Sequence, residues 1–236
     1  MSEPARAAAL ERLEARLGHR FGDRALLERA LTHRSVAGPA ASNERLEFLG
    51  DAVLGLLAAE LLYRRFPRAE EGELSRRRAW LVREQTLAEV ARELDLGALL
   101  RLGPGELRSG GFRRDSILAD ALEALLGAVY LDGGLEAARR VVERLLGERV
   151  ARQPEPGALK DPKTRLQEWL QARRRPLPTY RVVEVAGAEH ARRYTVACEV
   201  EGLEAATLGE GTSRRRAEQA AAERALAELE RTEEGP

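Results

Sequence analysis

One cysteine, one methionine and three histidines are spread over 236 residues, and each scarcity removes a class of chemistry. Cys198 has no second cysteine with which to form an intrachain disulfide, which fits a reducing compartment. His19 and His33 have no partner spacing that would suit a metal site or a catalytic triad, and both read as structural. Aromatic residues make up 4% of the chain against 44% hydrophobic residues in all, so the core must be built from Leu, Val and Ala. Excess charge is missing as well: the formal net charge is +0, and any case for nucleic acid must rest on local clustering. Met1 leads into polar residues without an apolar signal core, and the longest apolar runs are interrupted by Gly55 and Glu60, too short to span a bilayer. These absences predict a soluble, cytoplasmic protein with no membrane partner.

What the chain does contain is carboxylate in the wrong surroundings. Asn43–Asp51 opens a segment that stays apolar through Val53, Leu54, Leu56, Leu57, Leu61 and Leu62, with no proline before Pro67, and it reads as a helix. Glu44, Glu47 and Asp51 fall at i, i+3 and i+7, on one face of it. A second apolar helix, Ser116–Leu131, carries Asp120 and Glu123 as its only charges, one turn apart. An unpaired buried carboxylate is destabilising by about 3–5 kcal/mol, so something positive must face these groups. Neither face offers His or Cys, which disfavours zinc. An all-oxygen cage suits magnesium, or manganese in its place. The competing reading is a structural network in which Arg45, Arg76, Arg77 or Arg78 pairs the acids.

The rest of the first 150 residues reads as helices. Ala7–Leu17 is amphipathic and closed by Gly18, and Asp23 caps a short helix with Leu26, Leu27 and Leu31. An acidic turn at Glu70–Glu73 precedes a helix with Leu74, Trp80 and Leu81, and Gln85–Leu94 is another. Gly103–Arg114 reads as a Gly- and Arg-rich loop, either a backbone contact for a phosphate chain or a solvated connector. Asp132-Gly133-Gly134 ends the second acidic helix, and Leu135–Val150 follows.

Residues 151–160, with two prolines and a glycine, read as a linker. Beyond it the pattern changes. Asp161-Pro162 caps a helix through Leu166, Trp169 and Leu170, and Pro176-Leu177-Pro178 breaks it. Three strands are expected at Thr179–Val185, Arg193–Val200 and Leu203–Leu208, then a helix from about Ser213 with an Ala/Leu face. This α-β-β-β-α order makes a separate small domain over residues 161–232. Arg214, Arg215 and Arg216 occupy the first turn of its last helix, where cations are disfavoured by the dipole. With the free N–H groups there, they form an anion site suited to phosphates. Arg173-Arg174-Arg175 is a weaker candidate of the same kind. Cys198 reads as strand core, and Trp80 and Trp169 as packing.

Asn43-Glu44-Arg45-Leu46-Glu47-Phe48-Leu49-Gly50-Asp51 resembles the nine-residue signature of bacterial ribonuclease III at every position. Leu31–Ser35, Glu71-Gly72, Leu74-Ser75, Arg78-Ala79, Leu81-Val82, Gly103–Arg114 and Ile117–Glu123 are also similar to that family, with arginine largely in place of lysine. Asp161–Leu170 and Gly211–Ala222 resemble the double-stranded-RNA-binding domain that follows the nuclease domain there. The resemblance implies an all-α endonuclease domain followed by a small α+β (α-β-β-β-α) RNA-binding domain. It implies that Glu47, Asp51, Asp120 and Glu123 bind catalytic magnesium, and that Glu44 and Glu71 are two further acids of the cleavage groove. In the second domain it points to Thr164, Gln167 and Glu168 in one minor groove, His190 in the next, and Arg214 and Arg215 on the phosphates between them. No small-molecule cofactor is implied.

The expected activity is magnesium-dependent hydrolysis of double-stranded RNA in rRNA and mRNA precursor processing. One chain supplies one acidic centre, whereas two antiparallel strands need two, so a symmetric homodimer making staggered cuts with short 3′ overhangs is expected. The central helix also has more leucine-rich surface than one small domain can bury. A catalytically dead RNA-binding protein would not need six acids. An all-α nucleotide pyrophosphohydrolase would not explain the second domain, and di-iron bundles want a Glu-x-x-His pair that is lacking here.

Overall fold

The computed structural model describes residues 3–36, 38, 41–155, 157, 160–188 and 191–234. They divide into two compact units, Met1–Gln153 and Pro154–Pro236. His190, expected in an RNA-contacting turn, lies outside the described residues, as does part of the stretch read as a linker.

The first unit is helical. α1 (Glu3–Leu17) is closed by Gly18 at φ +72°, and α2 (Arg24–Ala30) is capped by Asp23, whose side chain accepts from the Ala25 N–H at 2.9 Å. Then come α3 (Glu44–Arg65), α4 (Glu71–Leu81), α5 (Glu84–Glu93), the single turns α6 (Leu96–Leu99) and α7 (Pro104–Arg108), and a 3₁₀ turn at Gly111–Arg113. The long α8 (Asp115–Ala151) ends the unit. Two expectations are corrected here. The acidic residues Glu71 and Glu73 belong to the first turn of α4, where the helix dipole favours them. The Gly103–Arg114 stretch is not an open loop, because α7 and the 3₁₀ turn engage much of its backbone. The expected break in α8 is present as Gly134, at φ 74° and ψ −176°. Asp132 pins that break to the α1–α2 connection, accepting from the backbone N–H groups of Asp23 at 2.8 Å and Gly22 at 3.1 Å while His19 Nε2 lies 2.8 Å away.

The core runs between α3 and α8. Leu46, Val53, Leu54, Leu57 and Leu62 meet Leu118, Leu122, Leu125, Leu126 and Val129 in one buried cluster. Two helical glycines permit the closest approach. A Cβ built at Gly50 would run into the Glu123 carbonyl oxygen and lie 3.0 Å from the Gly127 nitrogen; one built at Gly127 would run into the Leu46 carbonyl oxygen. A helical glycine costs roughly 0.5–1 kcal/mol relative to alanine, so two facing ones are explained by the near contact of the backbones. The opposite side of α3 is not covered by the described residues of this unit: Phe48, Leu56 and Tyr63 are 81%, 57% and 72% exposed. They recur after eight and seven residues and so share one face. Among the described residues, no helix is long and apolar enough to cross a membrane.

The second unit has α9 (Pro162–Ala172), an antiparallel sheet in the order β1 (Thr179–Ala186), β2 (Arg193–Glu199), β3 (Thr207–Gly211), and α10 (Arg214–Glu234). α9 and α10 pack on one sheet face through Leu166, Leu170, Cys198, Ala221, Ala225 and Leu229. The third strand is later than the expected Leu203–Leu208. Residues 201–206 form the connection, and the strand continues through Gly209 and Gly211. A Cβ on Gly209 would overlap the Ala217 carbonyl oxygen and the Ala221 nitrogen. These glycines are therefore strand residues stripped of side chains so that α10 can lie against them.

Candidate active site

The approach of α3 to α8 sets the geometry of the acids. Gly50 sits between Glu47 and Asp51, and its partner backbone is that of Glu123 and Gly127. Glu47 from α3 and Asp120 and Glu123 from α8 are thereby gathered so that one carboxylate oxygen of each lies within 4.8 Å of the others, all three half-buried. Asp51, also expected as a ligand, is exposed and falls outside this tight group, yet its charge is felt strongly by Glu123. Among the described residues, none of the four is in an ion pair. The structural alternative thus has no support at the arginines nominated for it. Arg77, the buried one, is committed to Glu73 at 2.7 Å and stacked over Phe66.

Electrostatics follow from the crowding. Burial, then the charges of Asp51, Asp120 and Glu47, push the Glu123 carboxyl up to about 8. Burial raises Glu47 also, with Asp120 and Glu44 adding to it and Arg34 opposing. Asp120 is raised by burial and then by Glu84, against His33 and Arg34. Like charges this close cannot all ionise without a counterion. The donor set is oxygen throughout and contains neither imidazole nor thiolate, which fits a hard divalent cation such as magnesium or manganese.

A cavity of about 300 Å³ opens beside the group, lined among others by His33, Arg34, Glu44, Glu47, Arg114 and Asp120. Its rim is held by a short strap. The Asn43 N–H donates to the Thr32 carbonyl at 2.9 Å, the His33 N–H to the Arg101 carbonyl at 3.0 Å, and the Gly103 N–H to Ser35 Oγ at 2.8 Å. The strap places Arg34 3.4 Å from Glu44. Three contributors therefore escaped the sequence reading. His33, taken as structural, lines the cavity. Arg34 lies in the Leu31–Ser35 stretch that resembles the family but carries no role in that reading, and Glu84, the first residue of α5, acts on Asp120 only through the tertiary fold.

Glu71 is not brought to the cluster. It is exposed at the start of α4, where Ser75 Oγ donates to it at 2.7 Å. It lines instead an apolar groove of about 720 Å³ between α3 and α4, with Leu56, Leu62, Tyr63 and Leu74.

In the second unit, Thr164, Gln167 and Glu168 are exposed on one face of α9 while Leu166 and Leu170 are buried. Glu168 pairs with Lys160. Arg214 and Arg215 are exposed at the start of α10, where the Arg216 N–H donates to Ser213 Oγ at 3.3 Å. Of the weaker triplet, Arg173 and Arg175 lie over the Trp169 ring, 3.8 and 5.2 Å from its centroid.

Comparison with known proteins is consistent across both units. The family profile described as Ribonuclease-III-like matches residues 23–149, and that of the double-stranded RNA binding motif matches residues 162–229. A protein called Ribonuclease 3 from Vibrio cholerae is 58% identical over 221 residues, covering 93% of this chain and 97% of the relative. One of the same name from Vibrio atlanticus is 56% identical with the same coverage. Among solved structures, a nuclease domain of ribonuclease III from Campylobacter jejuni superposes with a TM-score of 0.57 at 45% identity, covering 59% of this chain and 96% of that one. That structure is described as showing flexibility in a region involved in dimer formation. A second structure of the same domain gives a TM-score of 0.57 at 43% identity.

Proposed function

From the premise that this chain belongs to the ribonuclease III family, and is an endoribonuclease acting on double-stranded RNA, we propose that it works as a magnesium-dependent homodimer making staggered cuts with short 3′ overhangs. The observation that carries this reading is the convergence of Glu47, Asp120 and Glu123, none of them in an ion pair among the described residues. These three, with Asp51 beside them, would hold the ion, for which manganese is a substitute. When bound, a divalent cation supplies charge neutralisation and water activation for phosphodiester hydrolysis.

The chain's own residues do the rest. Asp51 and Glu44 flank the three ligands and keep the centre anionic, so that it prefers a divalent cation to a proton or a monovalent ion. Arg34 balances Glu44 at the rim. In the second unit, Thr164, Gln167 and Glu168 face a minor groove and Arg214 and Arg215 the phosphates across the next major groove, reading duplex shape rather than sequence.

Dimerisation is supported by the apolar face of Phe48, Leu56 and Tyr63. It is contiguous with the groove that holds Glu71, so a second copy covering that groove brings Glu71 to the edge of the interface. Such an enzyme is suited to stem-containing rRNA and mRNA precursors in the cytoplasm.

Incubating long double-stranded RNA with the protein tests the activity. Duplex fragments with 3′ overhangs are expected with magnesium, and intact RNA with a chelator. Equal cleavage in both would remove the metal from the account.

A further inference from the structure

The two helices that carry the proposed RNA contacts are stitched together by two acids, one on each. Glu218, one turn into α10, accepts from Lys163 Nζ at 2.7 Å and from Arg214 Nε at 2.9 Å, with its side chain only 12% exposed. Lys163 belongs to α9, and its ammonium also lies 4.4 Å from the centroid of the Tyr180 ring. The second acid runs the other way. Asp161 caps α9 through the Lys163 N–H at 2.9 Å, accepts from the Gln219 side chain on α10, and lies 3.9 Å from the Arg215 guanidinium. Hydrogen bonds from Lys163 and Arg214 hold the Glu218 carboxyl below its ordinary range despite its burial.

A carboxylate here is electrostatically costly. It sits beneath an arginine assigned to RNA phosphate, and it halves the free charge that Lys163 and Arg214 could offer a polyanion. On charge alone, removing it should tighten binding. Its geometry has the opposite consequence. Duplex RNA is a stiff A-form rod, and contact across successive grooves requires the α9 face and the α10 N-terminus to keep a fixed offset. Glu218 bridges those two elements, and its hydrogen bond with Arg214 restrains a long side chain whose ordering would otherwise be charged to binding.

We propose that Glu218 is a positioning residue for duplex RNA binding, fixing Arg214 against α9 through its shared contact with Lys163. This rests on the reading above that Arg214 meets phosphate.

The test is binding of the full chain, with a chelator present to prevent cleavage, to a labelled duplex of about 20 base pairs, longer than the ~16 that one such domain spans. Glu218→Gln should bind about 3- to 10-fold more weakly, although it adds a unit of positive charge. Glu230→Gln, an equal charge change at an exposed position further along α10, should bind as well as wild type or better. The effects of Glu218→Gln and Arg214→Ala should be non-additive, since both remove the same ordered contact. A lost fold would instead add to any other defect.

Binding by Glu218→Gln that is unchanged or tighter overturns the proposal, provided that Arg214→Ala weakens binding. If Arg214→Ala binds like wild type, the RNA-contact reading fails first and the positioning role with it. Should Glu218→Gln melt the second unit, Lys163→Gln unties α9 alone and carries the same expected loss and the same overturning result.

Discussion

The carbonyl oxygen of Glu123 occupies the space in which a side chain at Gly50 would begin. The separation of the two acidic helices is therefore set by a missing methyl group, and the carboxylates inherit that spacing. Gly50→Ala should cost about 1–3 kcal/mol by overpacking, lowering Tm by about 2–4 °C per kcal/mol at this size. It should reduce cleavage at temperatures where the protein is still folded, because Glu47 and Glu123 are pushed apart. Gly147→Ala on α8, with nothing near its missing Cβ, should instead gain about 0.5–1 kcal/mol and cleave normally. Melting curves and initial rates of the two variants decide it; equal activity would uncouple the glycine from the site.

Glu123→Gln keeps the shape and removes the charge. Cleavage of duplex RNA in magnesium should fall by more than about 100-fold, above what is typical for losing a group that only supports a metal ligand. Affinity for the same duplex should change little, since the proposed RNA contacts lie elsewhere. Near-normal cleavage would exclude Glu123 from the metal-binding set.

The crowding of acids makes a pH prediction for the metal-free protein. Glu123 titrates near 4.5 when unfolded and near 8 when folded, so between those values the native state holds the extra proton. Stability therefore falls as pH rises from about 5 to about 8. Magnesium replaces the proton as counterion, and its stabilising effect should be largest at the alkaline end of that window. Thermal melts across the range, with and without magnesium, should show this, and Glu123→Gln should flatten the slope. A metal-free Tm that rises over this range in wild type alone would contradict the assignment.

Phe48→Asp should convert the proposed dimer to a monomer in sedimentation experiments, because a charge placed on an apolar interface is left without a partner. Mixing wild-type chains with Glu123→Ala chains should yield heterodimers that nick one strand. A functional monomer would show only diluted double-strand cutting, and full cleavage by a monomeric species would defeat the idea.

The end of the first unit is anchored by Gln153, which donates through Nε2 to the Arg77 carbonyl at 2.9 Å and accepts from Arg77 Nη1 at 3.2 Å. A chain ending after Gln153 should fold alone and retain magnesium-dependent cleavage at low salt. Its affinity should collapse as salt rises, because the phosphate contacts of the second unit are gone. Ending one residue earlier should cost about 1 kcal/mol from the lost hydrogen bonds, read as a lower Tm. Equal melting of the two truncations would mean that the anchor contributes nothing.

Much of the site was legible because it violates a local rule. Carboxylates at helical spacing on apolar helices have no ordinary explanation, so Glu47, Asp120 and Glu123 stand out in the sequence. Gly50 and Gly127 do not, because a helical glycine is informative only when the crossing partner is known. Gly209 and Gly211 are equally silent in the sequence. The strand expected at Leu203–Leu208 stops short of them, whereas β3 runs through both and the close approach of α10 is what requires them. Glu84 and Arg34 act on the cluster from other elements and leave no periodic trace. Arg173 and Arg175 resemble a phosphate site in sequence, and their contact with the Trp169 ring is legible only in the structure.

Only two of the 39 basic residues, Lys160 and Lys163, are lysines, and both rest against carboxylates, Glu168 and Glu218. The other 37 are guanidinium groups, which keep their charge beyond pH ~12. The arginine charge offered to RNA is thus constant wherever the duplex itself survives, while the acidic centre changes protonation at a far lower pH, Glu123 near 8 in the metal-free protein. The limbs of a pH–rate profile should accordingly belong to hydrolysis rather than to grip, and amine-reactive reagents that silence lysine-based nucleic-acid binders will find few side chains to modify.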